Sequence, residues 1–294
     1  MEAVTILVTG ATGLVGRHVV DRLVQAGASV RVLTRTPAKA VFPEHVEVFK
    51  GDLLQPSSLV AALEGVEKLL LFPQPETATE VVGLARQAGV RRVVVLSAAA
   101  VTLGSDTAYH ARVERAVEEA GLEWTHVRPG EFMTNMLPIW GPMIKESRMV
   151  RYPFGDDLGA APIHEADIAD VAVVALLEDG HIGKAYTLSG PEQLSVRRQV
   201  GAIADALGEE VRYEEVSREE ARDVLRAMGG FAAESADLLL GFVDYEGGAG
   251  GGDNGYSDQD YSDLMKPLPG YGEATGKDGR TYAQWARDHV EDFR

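Results

Sequence analysis

Eight consecutive residues, Thr9-Gly10-Ala11-Thr12-Gly13-Leu14-Val15-Gly16, stand between a short β-branched run and the first amphipathic stretch of a 294-residue chain. Gly10 can turn the backbone sharply, Gly13 lets it approach a ligand closely, and Gly16 lets a helix pack against the strand before it. A helix opening at this point presents free N–H groups and a partial positive charge, which suits a pyrophosphate. Three glycines alone are a weak signal. Their place at the first strand–helix junction makes this one strong.

Two further positions fit the remainder of a dinucleotide. The second apolar run ends at Leu33-Thr34-Arg35, with Arg31 and Lys39 nearby. An acid at such a strand end accepts hydrogen bonds from ribose hydroxyls, whereas a guanidinium suits a 2′-phosphate. Arg35 therefore favours NADP(H) over NAD(H), the alternative being a solvated surface charge. After the third run comes Gly51-Asp52-Leu53. Asp52 can accept from the exocyclic amine of adenine while Leu53 packs on the ring, or Asp52 can cap the helix that follows.

Other chemistries lack their residues. The chain has no cysteine, which excludes disulfides, thiolate metal sites and cysteine nucleophiles. It has no G-x-S-x-G elbow and no H-E-x-x-H, and its seven histidines show no metal-ligand spacing. No metal is expected.

The elements that must position these residues alternate in a βαβ rhythm. Strands are expected at Val4–Thr9, Ser29–Leu33, Val46–Phe49, Lys68–Phe72, Arg92–Leu96 and Trp124–Val127, with helices at Gly13–Ala26, Pro56–Leu63, Thr77–Ala88 and Ala108–Ala120. Runs such as LLLF and VVVL are apolar without alternation, as in strands buried on both faces of a parallel sheet. Right-handed crossovers then give an α/β, Rossmann-type, doubly wound parallel sheet. Ile163–Leu177 reads as a further helix and Lys184–Leu188 as a further strand. From Ser195 the pattern turns mainly helical, with Arg197–Leu207 and Arg218–Met228 as the best candidates, which gives a smaller C-terminal lobe. The expected division is 1–131 with 163–193 for the dinucleotide-binding domain, and 132–162 with 194–294 for the lobe on the substrate side.

Charge narrows the partners. Residues 209–294 carry 20 acids and 9 bases, a net of −11 out of the chain's −17. Such a surface repels phosphate backbones and anionic headgroups, so neither nucleic acid nor membrane is an expected partner. No apolar stretch reaches the roughly 20 residues that span a bilayer, and the N-terminus lacks a signal-peptide pattern, so a cytoplasmic protein is expected, monomer or homodimer. A glycine-rich and acidic segment, Asp244–Asp263, holds six acids and no base and reads as a flexible loop.

Taken together these motifs resemble the atypical short-chain dehydrogenase/reductases, in particular the NmrA-like branch. TGATGLVG, GDLLQPSSL, VVVLSAAA, WTHVRPGEFMTN, HEADIADVAVVAL, YTLSGPEQLS and GRTYAQWARDHVEDF carry the resemblance over nearly the whole chain. It implies NADP(H) bound along Gly10, Thr12, Gly13, Leu14, Val15 and Gly16. Arg35 would face the adenosine ribose and Asp52–Leu53 the adenine. Phe72, Ser97 and Pro129–Phe132 would lie toward the nicotinamide. It also implies reduction of quinones or other carbonyls, although some relatives act as redox-responsive regulators without turnover.

One expected feature of that superfamily is missing. None of the seven lysines lies four residues after a tyrosine, so there is no Tyr-x-x-x-Lys acid–base pair. Matching Glu114 to the family's helix glutamate puts His110 at the lysine position and Asp106 at the tyrosine position. Hydride addition to a simple ketone makes a strongly basic alkoxide that needs a positioned acid. Addition to a quinone makes a delocalised phenolate-type product, with a pKa of about 10, like tyrosine. The expectation is an NADPH-dependent oxidoreductase acting on a small quinone or similar conjugated aromatic carbonyl, with Ser97, Tyr109 or His110 as polar helpers. Tyr109 as packing and His110 as a surface histidine are the plain readings. Phe132, Met133, Met136, Leu137, Ile139, Trp140 and Met143 form an apolar run that suits either a pocket wall for such a substrate or plain core. A regulator without turnover and a non-redox isomerase or cyclase are the alternatives.

Overall fold

The structure is a computed structural model that describes residues 4–157, 159–243 and 265–294. The acid-rich segment 244–263 lies outside the described residues. The chain divides into two units. One comprises Met1–Pro129, Glu165–Leu188 and Pro269–Lys277; the other comprises Gly130–His164, Ser189–Leu268 and Asp278–Arg294.

The first unit is a seven-stranded sheet in the order β3-β2-β1-β4-β5-β6-β8, with every neighbouring pair parallel. The strands are β1 (Thr5–Val8), β2 (Ser29–Thr34), β3 (Glu47–Lys50), β4 (Lys68–Leu71), β5 (Arg92–Leu96), β6 (Glu123–Pro129) and β8 (Lys184–Leu188). Leu69, Leu70 and Leu71 of β4 and Val93, Val94 and Val95 of β5 are all buried. Each such side chain contributes about 1.5–3 kcal/mol on leaving water. Both faces of these strands are covered, which is why the runs carry no polar alternation.

The covering helices are α1 (Leu14–Gln25), α2 (Val60–Leu63), α3 (Ala78–Gln87), α4 (Ala99–Leu103), α5 (His110–Glu119) and α7 (Glu165–Leu177). Ten of the thirteen residues of α7 are buried, since it lies between α1 and the middle strands. A helix in that place cannot be amphipathic. Its acids find partners on α1: Arg22 pairs with Asp170, and the Arg17 guanidinium and the His18 ring lie 3.9 and 3.7 Å from Glu165. The short helix Gly270–Thr275 belongs to this unit and packs on α7 and β8.

The second unit contains α6 (Leu137–Ser147), α8 (Val196–Leu207), α9 (Arg218–Met228), α10 (Gly230–Leu239) and a final helix, Tyr282–Asp288. Its core includes Met133, Ile139, Trp140, Tyr282, Trp285 and Phe293. The helical pattern after Ser195 is found, but so is a parallel pair not expected from sequence, β7 (Met149–Tyr152) with β9 (Arg212–Glu215). In the chain's apolar run, Met133, Met136, Ile139 and Trp140 are buried in this unit's core, with Leu137 and Met143 packed against it. Phe132 is half-buried and bridges to Ile163.

Candidate dinucleotide site

In a parallel sheet all C-terminal strand ends share one edge, and the strand order reverses between β1 and β4. Gly10 follows β1, Arg35 follows β2, Asp52 follows β3, Phe72 follows β4 and Ser97 follows β5. Five residues far apart in sequence are thus brought to one edge by topology alone.

The turn after β1 needs its glycines for different reasons. Gly10 has φ +64°, and a Cβ there would meet the Phe72 ring at 3.0 Å. A Cβ on Gly16 would lie 2.2 Å from the Gly10 carbonyl oxygen and 2.8 Å from the Ala11 Cα, so α1 packs directly on the turn. Gly13 is exposed and donates its N–H to the Gly10 carbonyl at 3.0 Å. No side chain caps the start of α1 and no acid stands in its first turn. Its first N–H groups therefore remain available to an anion. Thr12 and Leu14 are open to solvent beside them, while the Val15 side chain and Gly16 are buried, leaving only backbone to face a ligand.

Thr9, to which sequence reasoning gave no role, ties the switch point together. Its hydroxyl donates to the Leu70 carbonyl at 2.8 Å and accepts from the Phe72 N–H at 2.7 Å, so one buried side chain joins the ends of β1 and β4. The signal was a threonine directly before the first glycine, with its partners 61 and 63 residues away.

Three cations near β2 divide by commitment. Arg31 bonds Glu47 at 3.0 Å, reaches the Ala62 and Glu64 carbonyls and lies over the Phe49 ring. Arg35 is exposed and makes no hydrogen bond or ion pair to any described residue, and Lys39 is exposed in the turn Pro37–Lys39. Asp52 uses Oδ1 to accept from the Leu54 N–H at 3.0 Å, an Asx turn, and the short helix beyond it begins at Pro56 with Gln55 before it. Leu53 is half-buried and its carbonyl accepts from the Thr77 hydroxyl at 2.7 Å.

The three polar helpers fall into two groups. Ser97 is buried and donates to Glu114 at 2.5 Å; Glu114 also holds Arg128 through contacts of 2.9 and 2.6 Å. Burial would raise the Glu114 carboxyl, but the Arg128 guanidinium, His126 and the Ser97 hydroxyl outweigh it and hold it below the usual range. Tyr109 and His110 belong to a second group, organised by Asp106. That carboxylate accepts from the Tyr109 and His110 N–H groups at 2.9 and 3.0 Å and contacts His110 Nδ1 at 2.6 Å. Burial opposes its ionisation, and these bonds more than offset it. Asp106 thus anchors the start of α5. The Tyr109 phenol is 3.5 Å from the Pro73 carbonyl, beside Phe72, and burial, then Glu76 and Asp106, push it above the ordinary tyrosine value. It stays protonated at neutral pH.

Glu114, Glu118 and His126 bring three possible ligand atoms within 4.8 Å of one another. The Arg128 guanidinium already covers both Glu114 oxygens, so a metal ion there would face a fixed positive charge.

Residues 10–179 match the family described as NAD(P)H-binding. The chain is 36% identical over 296 residues to (4-alkanoyl-5-oxo-2,5-dihydrofuran-3-yl)methyl phosphate reductase of Streptomyces griseus, covering 98% of this chain and 99% of that one. It is 31% identical to the NAD(P)H azoreductase of Xenophilus azovorans, again over 98% and 99%. Among solved structures, a new type of NADPH-dependent quinone oxidoreductase from Escherichia coli superposes with a TM-score of 0.74 at 26% identity, over 97% and 99% of the two chains. The chain belongs to this NAD(P)H-binding family, in its NmrA-like atypical short-chain dehydrogenase/reductase branch, and is an NAD(P)H-dependent oxidoreductase. No helix among the described residues is long and apolar enough to cross a membrane.

Proposed function

We propose that the protein is an NADPH-dependent reductase of small conjugated carbonyl compounds, a quinone or a similar aromatic carbonyl. The observation that carries this reading is what has become of the standard acid–base pair. The two positions hold Asp106 and His110, which bond to each other at the start of α5. Without a lysine to lower a phenol's pKa, the acceptor must be one whose reduced form is a stabilised oxyanion, as a conjugated carbonyl's is. Two of the relatives' names fit this class, a reductase of an unsaturated lactone phosphate and a quinone oxidoreductase, and a third, an azoreductase, names a conjugated acceptor of another kind.

Gly10, Gly13 and the uncapped start of α1 fit a pyrophosphate, and Asp52 and Leu53 an adenine. Arg35 supports a preference for the 2′-phosphorylated cofactor, because its neighbour Arg31 is already engaged and Arg35 is not. When bound, the reduced nicotinamide supplies the hydride. Tyr109, protonated and 3.5 Å from the carbonyl of Pro73, the residue after Phe72, is the polar helper best placed at this edge, and Ser97 serves through its lone pairs, its proton being given to Glu114.

The test is a fluorescence titration with NADPH and NADH, followed by NADPH oxidation with a panel of naphthoquinones and benzoquinones. Tight NADPH binding with quinone-dependent oxidation is expected. Binding without turnover on any conjugated acceptor would replace the reductase with a redox-responsive regulator, and absence of binding would remove the site.

A further inference from the structure

Ser97 differs from the other polar groups at the sheet's C-terminal edge in having its proton fixed. Its hydroxyl donates to Glu114 at 2.5 Å, and the Arg128 guanidinium holds both oxygens of that carboxylate at 2.9 and 2.6 Å. Arg128 also donates to the Thr102 hydroxyl at 3.2 Å, which meets the Thr187 hydroxyl at 2.7 Å. The Ser97 N–H donates to the Val127 carbonyl at 2.7 Å, so backbone and side chain are both anchored. All of these residues belong to the first unit. An ionised carboxylate only accepts. The hydroxyl therefore keeps its proton on Glu114, and lone pairs are all that Ser97 has left to offer. Donation to a charged group also polarises the O–H bond and makes its oxygen a stronger acceptor.

The strand order decides what passes over this oxygen. The glycine turn follows β1, and Arg35 and Asp52, which suit the adenosine, follow β2 and β3 on one side of it. A dinucleotide with its pyrophosphate at the turn then sends its other half the opposite way, over the ends of β4 and β5. Phe72, whose ring lies 3.0 Å from a Cβ built on Gly10, is the first residue in that direction. Ser97 is one strand further on. The strands β4 and β5 are parallel neighbours about 4.8 Å apart, with Leu71 opposite Val95, and Ser97 stands two residues beyond that pair.

We infer that Ser97 reads the carboxamide of the nicotinamide, accepting a hydrogen bond from its NH2 group and so fixing the rotation of the ring. This rests on the site reading above, with the pyrophosphate on the glycine turn. Polarity selects the carboxamide as the occupant. A quinone or a similar carbonyl offers only acceptors, which would set lone pair against lone pair at Ser97. The amide NH2 is a donor that every cofactor molecule carries, oxidised or reduced. Ser97 is buried, so the contact is shielded from water, and a group without a donor leaves a desolvated lone pair unmatched. Ser97 thus orients the cofactor and delivers no proton.

The experiment is a calorimetric titration of the wild type and of Ser97→Ala with NADPH and with its reduced 3-acetylpyridine analogue, in which a methyl group replaces the amide NH2. The wild type should bind the analogue about 10-fold more weakly than NADPH, the effect of one buried hydrogen bond. Ser97→Ala should lose that discrimination, binding NADPH about 10-fold more weakly than the wild type does and the analogue as before. A purely structural role for Ser97 would lower both affinities together and leave their ratio unchanged. A wild type that binds the two cofactors equally would overturn the inference. So would discrimination that survives in Ser97→Ala, whether or not both affinities fall. No binding of NADPH by the wild type would instead remove the dinucleotide site on which the inference stands.

Discussion

A Cβ placed on Gly16 would sit 2.2 Å from the carbonyl oxygen of Gly10. Helix α1 is therefore seated on the turn that precedes it, with no room for a methyl group between them. The opposing atoms are backbone, so Gly16→Ala must displace either the turn or the helix. The expected cost is about 3 kcal/mol, the upper part of the range for overpacking. For a chain of this size that is a fall in Tm of roughly 6–12 °C. Thermal unfolding measures it; a Tm within a degree of wild type would show that the turn yields easily.

Gly13 makes the opposite prediction. Its Cβ would meet only the Gly10 carbonyl, at 3.2 Å, and the residue faces solvent. Gly13→Val should leave Tm within a few degrees while weakening NADPH binding at least 100-fold, because the branched side chain fills the approach to the free N–H groups of α1. Binding retained at the wild-type level would displace the pyrophosphate from this turn.

These two positions also show why part of the site could be seen in the sequence. A glycine that the backbone demands leaves its mark locally, so Gly10, Gly13 and Gly16 are legible without a fold. So are the buried strands: LLLF and VVVL are continuous because both faces of β4 and β5 are covered. The pair β7 and β9 left no such mark. MVRY and RYEE are only four residues each and are joined through a partner some 60 residues distant. Thr9 was hidden for the same reason, its partners being Leu70 and Phe72, and Ser97 drew attention as a helper although its proton goes to Glu114. Residues defined by long-range partners have no local pattern to read.

The role proposed for Arg35 is the choice of cofactor. Replacing it by Ala removes charge-assisted bonds worth about 1.5–3 kcal/mol to a 2′-phosphate. NADPH should bind about 10- to 100-fold more weakly, with NADH affinity nearly unchanged. Parallel titrations with the two cofactors check this. An equal change in both would make Arg35 a general surface charge.

Glu114 links stability to pH. Its folded-state carboxyl lies below the ordinary range, so its stabilising contribution is present above the unfolded value of about 4.3 and is lost as pH falls through the folded value. Glu114→Gln leaves the Arg128 guanidinium without its carboxylate and should cost about 3–5 kcal/mol at pH 7. The difference between variant and wild type should shrink steadily below pH 4. Urea unfolding across pH 3 to 7 gives the comparison, and a pH-independent difference would mean that the pair contributes through packing rather than charge.

Thr9 separates the fold's switch point from its glycines. Thr9→Val keeps the side-chain volume but removes an oxygen that serves two strand ends at once. The Leu70 carbonyl keeps its bond from the Thr9 backbone N–H at 3.0 Å, whereas the Phe72 N–H loses the Thr9 hydroxyl as its acceptor. The penalty should therefore be that of one unsatisfied buried donor, about 1–3 kcal/mol. Phe72 is also the residue whose ring rests against Gly10, so loosening its N–H should loosen the turn. NADPH affinity is expected to fall several-fold, while Thr9→Ser, which keeps the hydroxyl, should restore both affinity and most of the stability. If Thr9→Val bound NADPH as tightly as wild type, packing and not the hydroxyl would be what holds β1 to β4.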